Sequence, residues 1–167
     1  ASVQHFMREV RSGAFIRYMH STGASAIFLL VYLHMLRGML YGSYRKPREL
    51  VWLLGCGLFV LLMAEAFMGY VLPWGQMSYW GAQVITNLVA TVPWVGPALA
   101  DMVRGGPALG DASLGRFLAL HVVGIPLLLG AFVALHMVAL RNVGSGNPDG
   151  IDLAKGPQGN RDRKSVV

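Results

Sequence analysis

Three long runs of the chain carry almost no charge. From about Gly23 to Tyr41, from Val51 to Leu72 and from Phe117 to Leu140 the residues are apolar or small. Each run is close to the ~20 residues that carry an α-helix across the hydrocarbon core of a bilayer. Separate segments cross lipid only as helices, because hydrocarbon offers backbone N–H and C=O groups no outside partner. Three membrane spans are therefore predicted. Before the first, "VQHFMREVRSGAFIRY" (Val3–Tyr18) mixes charged and apolar residues at helical spacing and predicts an amphipathic helix on the outer face. Between the second and third spans, Pro73 should end the second helix, and "ITNLVATVPWVG" (Ile85–Gly96) predicts a short helix along the membrane surface. A loop of this length with structure of its own is usually functional. The expected fold class is an all-α transmembrane helix bundle with surface helices in its outer loop.

Composition agrees with that pattern. The chain has 167 residues, of which 54% are hydrophobic and only 13% charged, about half the charge of a soluble domain. The formal charge is +6, which in a soluble protein would suggest nucleic acid as a partner. Here the cations flank spans, so no nucleic acid is expected. Arg37, Arg45, Lys46 and Arg48 lie between the first two spans, and Arg141, Lys155, Arg161, Arg163 and Lys164 follow the third. The positive-inside rule puts the 42–50 loop and the C-terminus on the cytoplasmic side. The Pro73–Arg116 connection, whose cations are Arg104 and Arg116, then lies outside. Cys56 is the one cysteine, so there is no disulfide framework. His34 at the centre of the first span, with no small-residue cleavage site after it, excludes a signal peptide.

Four histidines sit in the spans or at their ends. His20 and His34 are 14 residues apart, about 40° short of four full turns, so they share one face about 21 Å apart along the axis. His121 and His136 are 15 apart, about 60° past four turns. Gly124 and Pro126 lie between them and allow a bend or bulge that absorbs the odd residue. The result is two levels, each with two facing imidazoles. Such a pair suits the two axial positions of a haem iron, whereas tetrahedral zinc wants four converging donors. A lone buried histidine is most often a hydrogen-bonded core residue, but four in matched register are expensive in lipid and point to function. Arg17 and Arg37 sit three residues outside each histidine, placed to pair with haem propionates or to snorkel to the interface. Gly55 and Gly69 repeat the 14-residue interval in the second span and leave room where a ring edge would approach. Glu65, one turn before Gly69, is expected either to bond to a neighbouring helix or to respond to the outer haem.

With these residues placed, the chain resembles the N-terminal half of cytochrome b, the haem subunit of the cytochrome bc complexes (ubiquinol–cytochrome c oxidoreductase). "IRYMHSTGAS", "YLHMLRGMLYGSYRKPRE", "AFMGYVLPWGQMSYWGAQVITNL", "GRFLALH" and "GSGNP" carry the likeness, from about Ser2 to Asp149. It implies an N-terminal di-haem domain at residues 1–149, with three spans of a four-helix bundle and the first transmembrane helix missing. It implies two haem b: a low-potential one held by His20 and His121 near the outer face, and a high-potential one held by His34 and His136 near the inner face. Residues Phe67 to Gly81 match the wall of the family's quinol-oxidising pocket, which makes Phe67, Tyr70, Pro73, Trp74, Gly75, Trp80 and Gly81 candidates there. Arg141 and Ser145 are candidates on the inner quinone side. Several features depart from the family: the C-terminal half with its PEWY segment is missing, Arg141 replaces a common histidine, and "GSGNP" replaces GSNNP. Residues 150–167 form a polar tail. Its last six, "DRKSVV", coincide with a reading frame of a common sequencing adapter and are expected to be a read-through artefact.

The implied function is respiratory electron transfer from quinol through two b-type haems, in a quinol–cytochrome c oxidoreductase of the bacterial cytoplasmic membrane. The implied partners are a Rieske-type iron–sulfur protein, a c-type cytochrome, the C-terminal half of cytochrome b, lipid and a second copy in a dimeric complex. Two other oxidoreductase readings stay open: the split cytochrome b of a photosynthetic-type complex, for which the 15-residue spacing also suits, and a di-haem anchor of a quinone-reducing dehydrogenase. A haem-free membrane scaffold is the alternative from a different class.

Overall fold

The computed structural model describes residues 2–144, and within them the chain is helical with no strand. The helices run in the order α1 (Ser2–Arg8), α2 (Gly13–Leu40), α3 (Glu49–Val71), α4 (Gln76–Ala90), α5 (Gly96–Arg104), α6 (Asp111–Ala119) and α7 (Ile125–Val143). A π-helical turn, Leu120–Gly124, joins α6 to α7, so Asp111–Val143 is one continuous rod. This rod, α2 and α3 are long and apolar enough to cross a membrane, each containing an 18-residue stretch of mean hydropathy 2.4, 1.5 and 2.2 respectively. The protein is an integral membrane helix bundle.

Two of the expected elements differ. The helix predicted over Val3–Tyr18 is broken: α1 ends at Arg8, and Ser12, just before α2, adopts a left-handed conformation with φ 62°. Residues from Gly13 onward then belong to the first span, ten residues before the predicted start at Gly23. The surface helix predicted over Ile85–Gly96 is also not one helix. It is the end of a longer α4, a turn at 91–95 containing Trp94 with φ 64°, and the start of α5, where proline occupies the first turn. Pro93 disfavours helical geometry in the residue before it, and the chain turns there. The expected stop at Pro73 agrees with α3 ending at Val71.

The interior sits where the top of α3 meets α4 and α6, at the end of the bundle that the charge pattern predicts to be outer and that is called the outer end below. Val71, Ala82, Leu109 and Phe117 are buried there, with Phe67, Met68, Leu72, Trp74, Tyr79 and Val103 packed around them. Arg104 closes this layer: its guanidinium donates to Asn87 Oδ1 at 2.6 Å, and its carbonyl accepts from Ser113 Oγ. Gly105, at φ 84°, then reverses the chain, and a Cβ there would lie 2.9 Å from Ala112 Cβ. At the inner end, Arg48 Nε donates to Gly144 O at 3.2 Å and ties the start of α3 to the end of α7.

In the membrane, α3 and α7 lie side by side, close enough that a Cβ on Gly57 would meet Phe132 Cε1 at 2.9 Å. Helix α2 touches α3 through the Tyr32–Phe59 ring pair, with centroids 5.7 Å apart. No Cα of α2 comes within 8 Å of one in α7 among the described residues. The first and third spans therefore face each other across a slot that only side chains bridge.

Phe117 is fully buried at the junction of α3 and α6, so Phe117→Ala should cost about 3–5 kcal/mol. A marked fall in thermal unfolding midpoint of the detergent-solubilised protein is the expected result.

Candidate functional site

Both imidazole pairs lie in the slot between α2 and the third span. At the outer level His20, on α2, faces His121, in the π turn, with ring centroids 6.1 Å apart and planes at 83°. At the inner level His34, on α2, faces His136, on α7, at 6.3 Å and 71°. The π turn brings His121 and His136 onto one face. A π-helical residue advances roughly 80–85° instead of 100°, so four or five of them remove about 70–90° and leave the two within roughly 30° of one another. The odd residue expected near Gly124 and Pro126 is absorbed there.

The second span sets how closely the third can approach. A Cβ on Gly69 would lie 2.5 Å from His121 Cε1, and one on Gly55 would lie 3.2 Å from His136 Cε1. The imidazole of the third span thus lies at each glycine notch. Each glycine lets one histidine lie flush against the α3 backbone.

His121 is held further. Its Nδ1 lies 2.9 Å from Glu65 Oε1 and 3.0 Å from Glu65 O. Both partners accept, so the ring proton belongs on Nδ1 and Nε2 is left for a ligand across the slot. Glu65 thus bonds to a neighbouring helix, one of the two roles expected for it.

The spacing decides what the pairs can hold. No three His, Cys, Asp or Glu side chains converge among the described residues, so the chain alone offers no closed metal site. A metal bonded to one nitrogen of each ring, at about 2 Å per bond, places the centroids roughly 6 Å apart. Both levels meet that requirement. A metal that brings its own four equatorial donors in a flat ring, as haem iron does, fits this donor set.

The other candidate residues are more scattered. Arg17 and Arg37 stand one turn outside the histidines of α2, both exposed, with the Arg37 guanidinium 5.2 Å above the Tyr41 ring. Arg141 is exposed near the inner end of α7, and Ser145 lies outside the described residues, as does the tail from 150 to 167. At the outer end, Trp74, Gly75, Gln76, Tyr79 and Trp80 line a cavity of about 290 Å³. Trp74 is held there at φ 54°, a conformation that costs a bulky residue roughly 1–2 kcal/mol; its N–H donates to Val71 O at 3.0 Å. Ser78 Oγ donates to Tyr70 O at 2.8 Å and staples α4 to α3 below the cavity. Phe67 instead packs against Phe117 at 5.8 Å, Pro73 is exposed, and Gly81 sits 3.7 Å (measured to an added Cβ) from the Tyr70 ring.

Sequence reasoning did not single out Gln76, which lines this cavity and accepts from Trp80 Nε1 at 3.0 Å. Its position at the first residue of α4, four before Trp80, is the signal that would have found it. Nor did it find the Asn87–Arg104 bond, which joins two helices whose pairing no local pattern announces.

The cytochrome b/b6/petB family model matches residues 1–144. Among curated relatives, cytochrome b of Allochromatium vinosum is 60% identical over 161 residues, covering 96% of this chain and 39% of the relative. Cytochrome b of Rhodobacter capsulatus is 46% identical over 155 residues, covering 93% and 35%. A solved structure described as "Hyperthermophilic respiratory Complex III" superposes with a TM-score of 0.80 at 37% identity, over 92% of this chain and 42% of its own. The chain thus spans roughly two fifths of the length of the relatives it matches.

Ser78 is buried, and Ser78→Ala would leave the Tyr70 carbonyl without its partner. A loss of about 1–2 kcal/mol is expected, seen as a lower unfolding midpoint and faster proteolysis at the α3–α4 connection.

Proposed function

This chain belongs to the cytochrome b family, and on that premise we propose that it carries the di-haem portion of the membrane subunit of a quinol–cytochrome c oxidoreductase. The supporting observation is the repeated imidazole pair, two levels with ring centroids 6.1 and 6.3 Å apart in one slot. His20 with His121 would hold the outer, low-potential haem b, and His34 with His136 the inner, high-potential one. Bound there, haem b supplies reversible one-electron chemistry at two depths of the bilayer.

The protein's part is to hold, orient and exclude water. Gly69 and Gly55 set the depth of each third-span ring, and Arg17 and Arg37 offer cations toward the two membrane surfaces for propionates. The aromatic wall of Trp74, Tyr79 and Trp80, with Gln76 as its polar group, suits a flat quinol ring beside the outer level, and Arg141 is placed near the inner end for quinone. The basic 42–50 connection puts that end in the cytoplasm and the cavity on the outer side, where a Rieske-type iron–sulfur protein and a c-type cytochrome would take the second electron. The reading places the protein in a bacterial cytoplasmic membrane, within a dimeric complex that includes the C-terminal half of cytochrome b.

Reduced-minus-oxidised optical spectra of the complex with redox titration test the assignment. His121→Leu should abolish the low-potential component and retain the high-potential one; loss of only the high-potential signal would reverse the pairing. Adding a methyl group to each notch gives a graded check. Gly69→Ala places a carbon 2.5 Å from the His121 ring and Gly55→Ala one 3.2 Å from His136, so the first should lower outer haem content more than the second lowers inner. Overpacking typically costs about 1–3 kcal/mol, and the shorter contact belongs at the upper end.

A further inference from the structure

The two levels differ at the far nitrogen of the third-span ligand. At the outer level His121 Nδ1 meets two oxygens of one residue, the Glu65 carboxyl and the Glu65 carbonyl, at 2.9 and 3.0 Å. The Glu65 side chain is 17% exposed, deep in a span where a carboxyl group is expensive to keep. Its second oxygen, Oε2, is buried with no partner, so the group is not there to satisfy a local network. At the inner level His136 Nδ1 is buried and has no hydrogen-bond partner among the described residues; the Val51 backbone faces it outside good bonding geometry.

We propose that Glu65 is a positioning residue that lowers the reduction potential of the outer haem through His121. The inference rests on haem ligation by the four histidines. An imidazole whose N–H is held by a carboxyl oxygen is fixed in tautomer and ring plane and becomes a stronger electron donor to the metal it ligates. A stronger axial donor stabilises ferric over ferrous iron, and hydrogen bonding to the ligand is one of the levers by which proteins set haem potentials. With a carboxyl on one level and only the Val51 backbone facing the ring on the other, the outer haem is the harder of the two to reduce. Electrons then run downhill from the outer to the inner level. The Glu65 carbonyl stays in place whatever the side chain, so removing the carboxyl should shift the potential rather than expel the haem.

The test uses the assembled complex in its membrane, with Glu65→Gln and Glu65→Leu. Glutamine keeps the length and one acceptor oxygen of a weaker kind; leucine keeps the bulk alone. Optical redox titration of each haem, with the low-spin ferric paramagnetic resonance signal of the outer haem as a second readout, should show both haems retained. The outer midpoint should move positive, further in the leucine variant than in the glutamine one, with the inner midpoint fixed. Selective loss of the outer haem from both variants would overturn the proposal and leave Glu65 as a packing residue. An unchanged outer midpoint and resonance signal with both haems bound would overturn it, as would loss of both haems from the glutamine variant. A wild-type complex without two bis-imidazole haems would instead overturn the ligation on which the inference stands.

Discussion

Two distances govern the membrane part of this protein: the third span lies close enough to α3 for its side chains to reach the α3 glycines, and α2 stands off from α7. Close approach is possible because glycines occupy α3 at each level, so the His121 and His136 rings lie where a Cβ would collide. Standing off leaves a slot whose width is fixed by imidazoles on both sides, at 6.1 and 6.3 Å between centroids. Neither pair would form if the third span were pushed outward by a side chain, or if α2 packed directly on α7. The fold therefore gives up helix–helix contact in one place and keeps it close in another.

The outer end does the opposite work. There the α3–α4 connection, α5 and α6 build a buried layer around Phe117 and Val71, held by Ser78 on Tyr70 and Arg104 on Asn87. This layer lets a tryptophan sit in a left-handed conformation at the mouth of a cavity. Rigid packing on one side and an aromatic wall on the other shape this cavity.

The spans and both imidazole levels were legible in the sequence because they depend on rotation per residue and on length, which are properties of a single helix. The π turn was legible only as a place where something had to give, since Gly124 and Pro126 allow a bulge without naming its kind. What stayed hidden depends on two segments meeting. Glu65 and His121 are 56 residues apart, and the filling of the glycine notches by imidazole follows from the packing of α3 on α7. Helix limits in the outer loop and before the first span were also missed. Left-handed turns at Ser12 and Trp94 lie at the breaks, and neither residue type announces such a turn.

The register of α2, α3 and the third span also limits how the gene can change in length. One residue added or removed between His20 and His34, or between Gly55 and Gly69, would turn one level about 100° away from the other. The third span already contains a π turn that absorbs its odd residue, but α2 and α3 are uninterrupted helices with no such turn. Substitutions between the two levels can be accommodated one at a time, while insertions and deletions there cannot. Natural length variation should therefore fall in the connections and in the third span, and the 14-residue intervals of the first two should stand as fixed lengths.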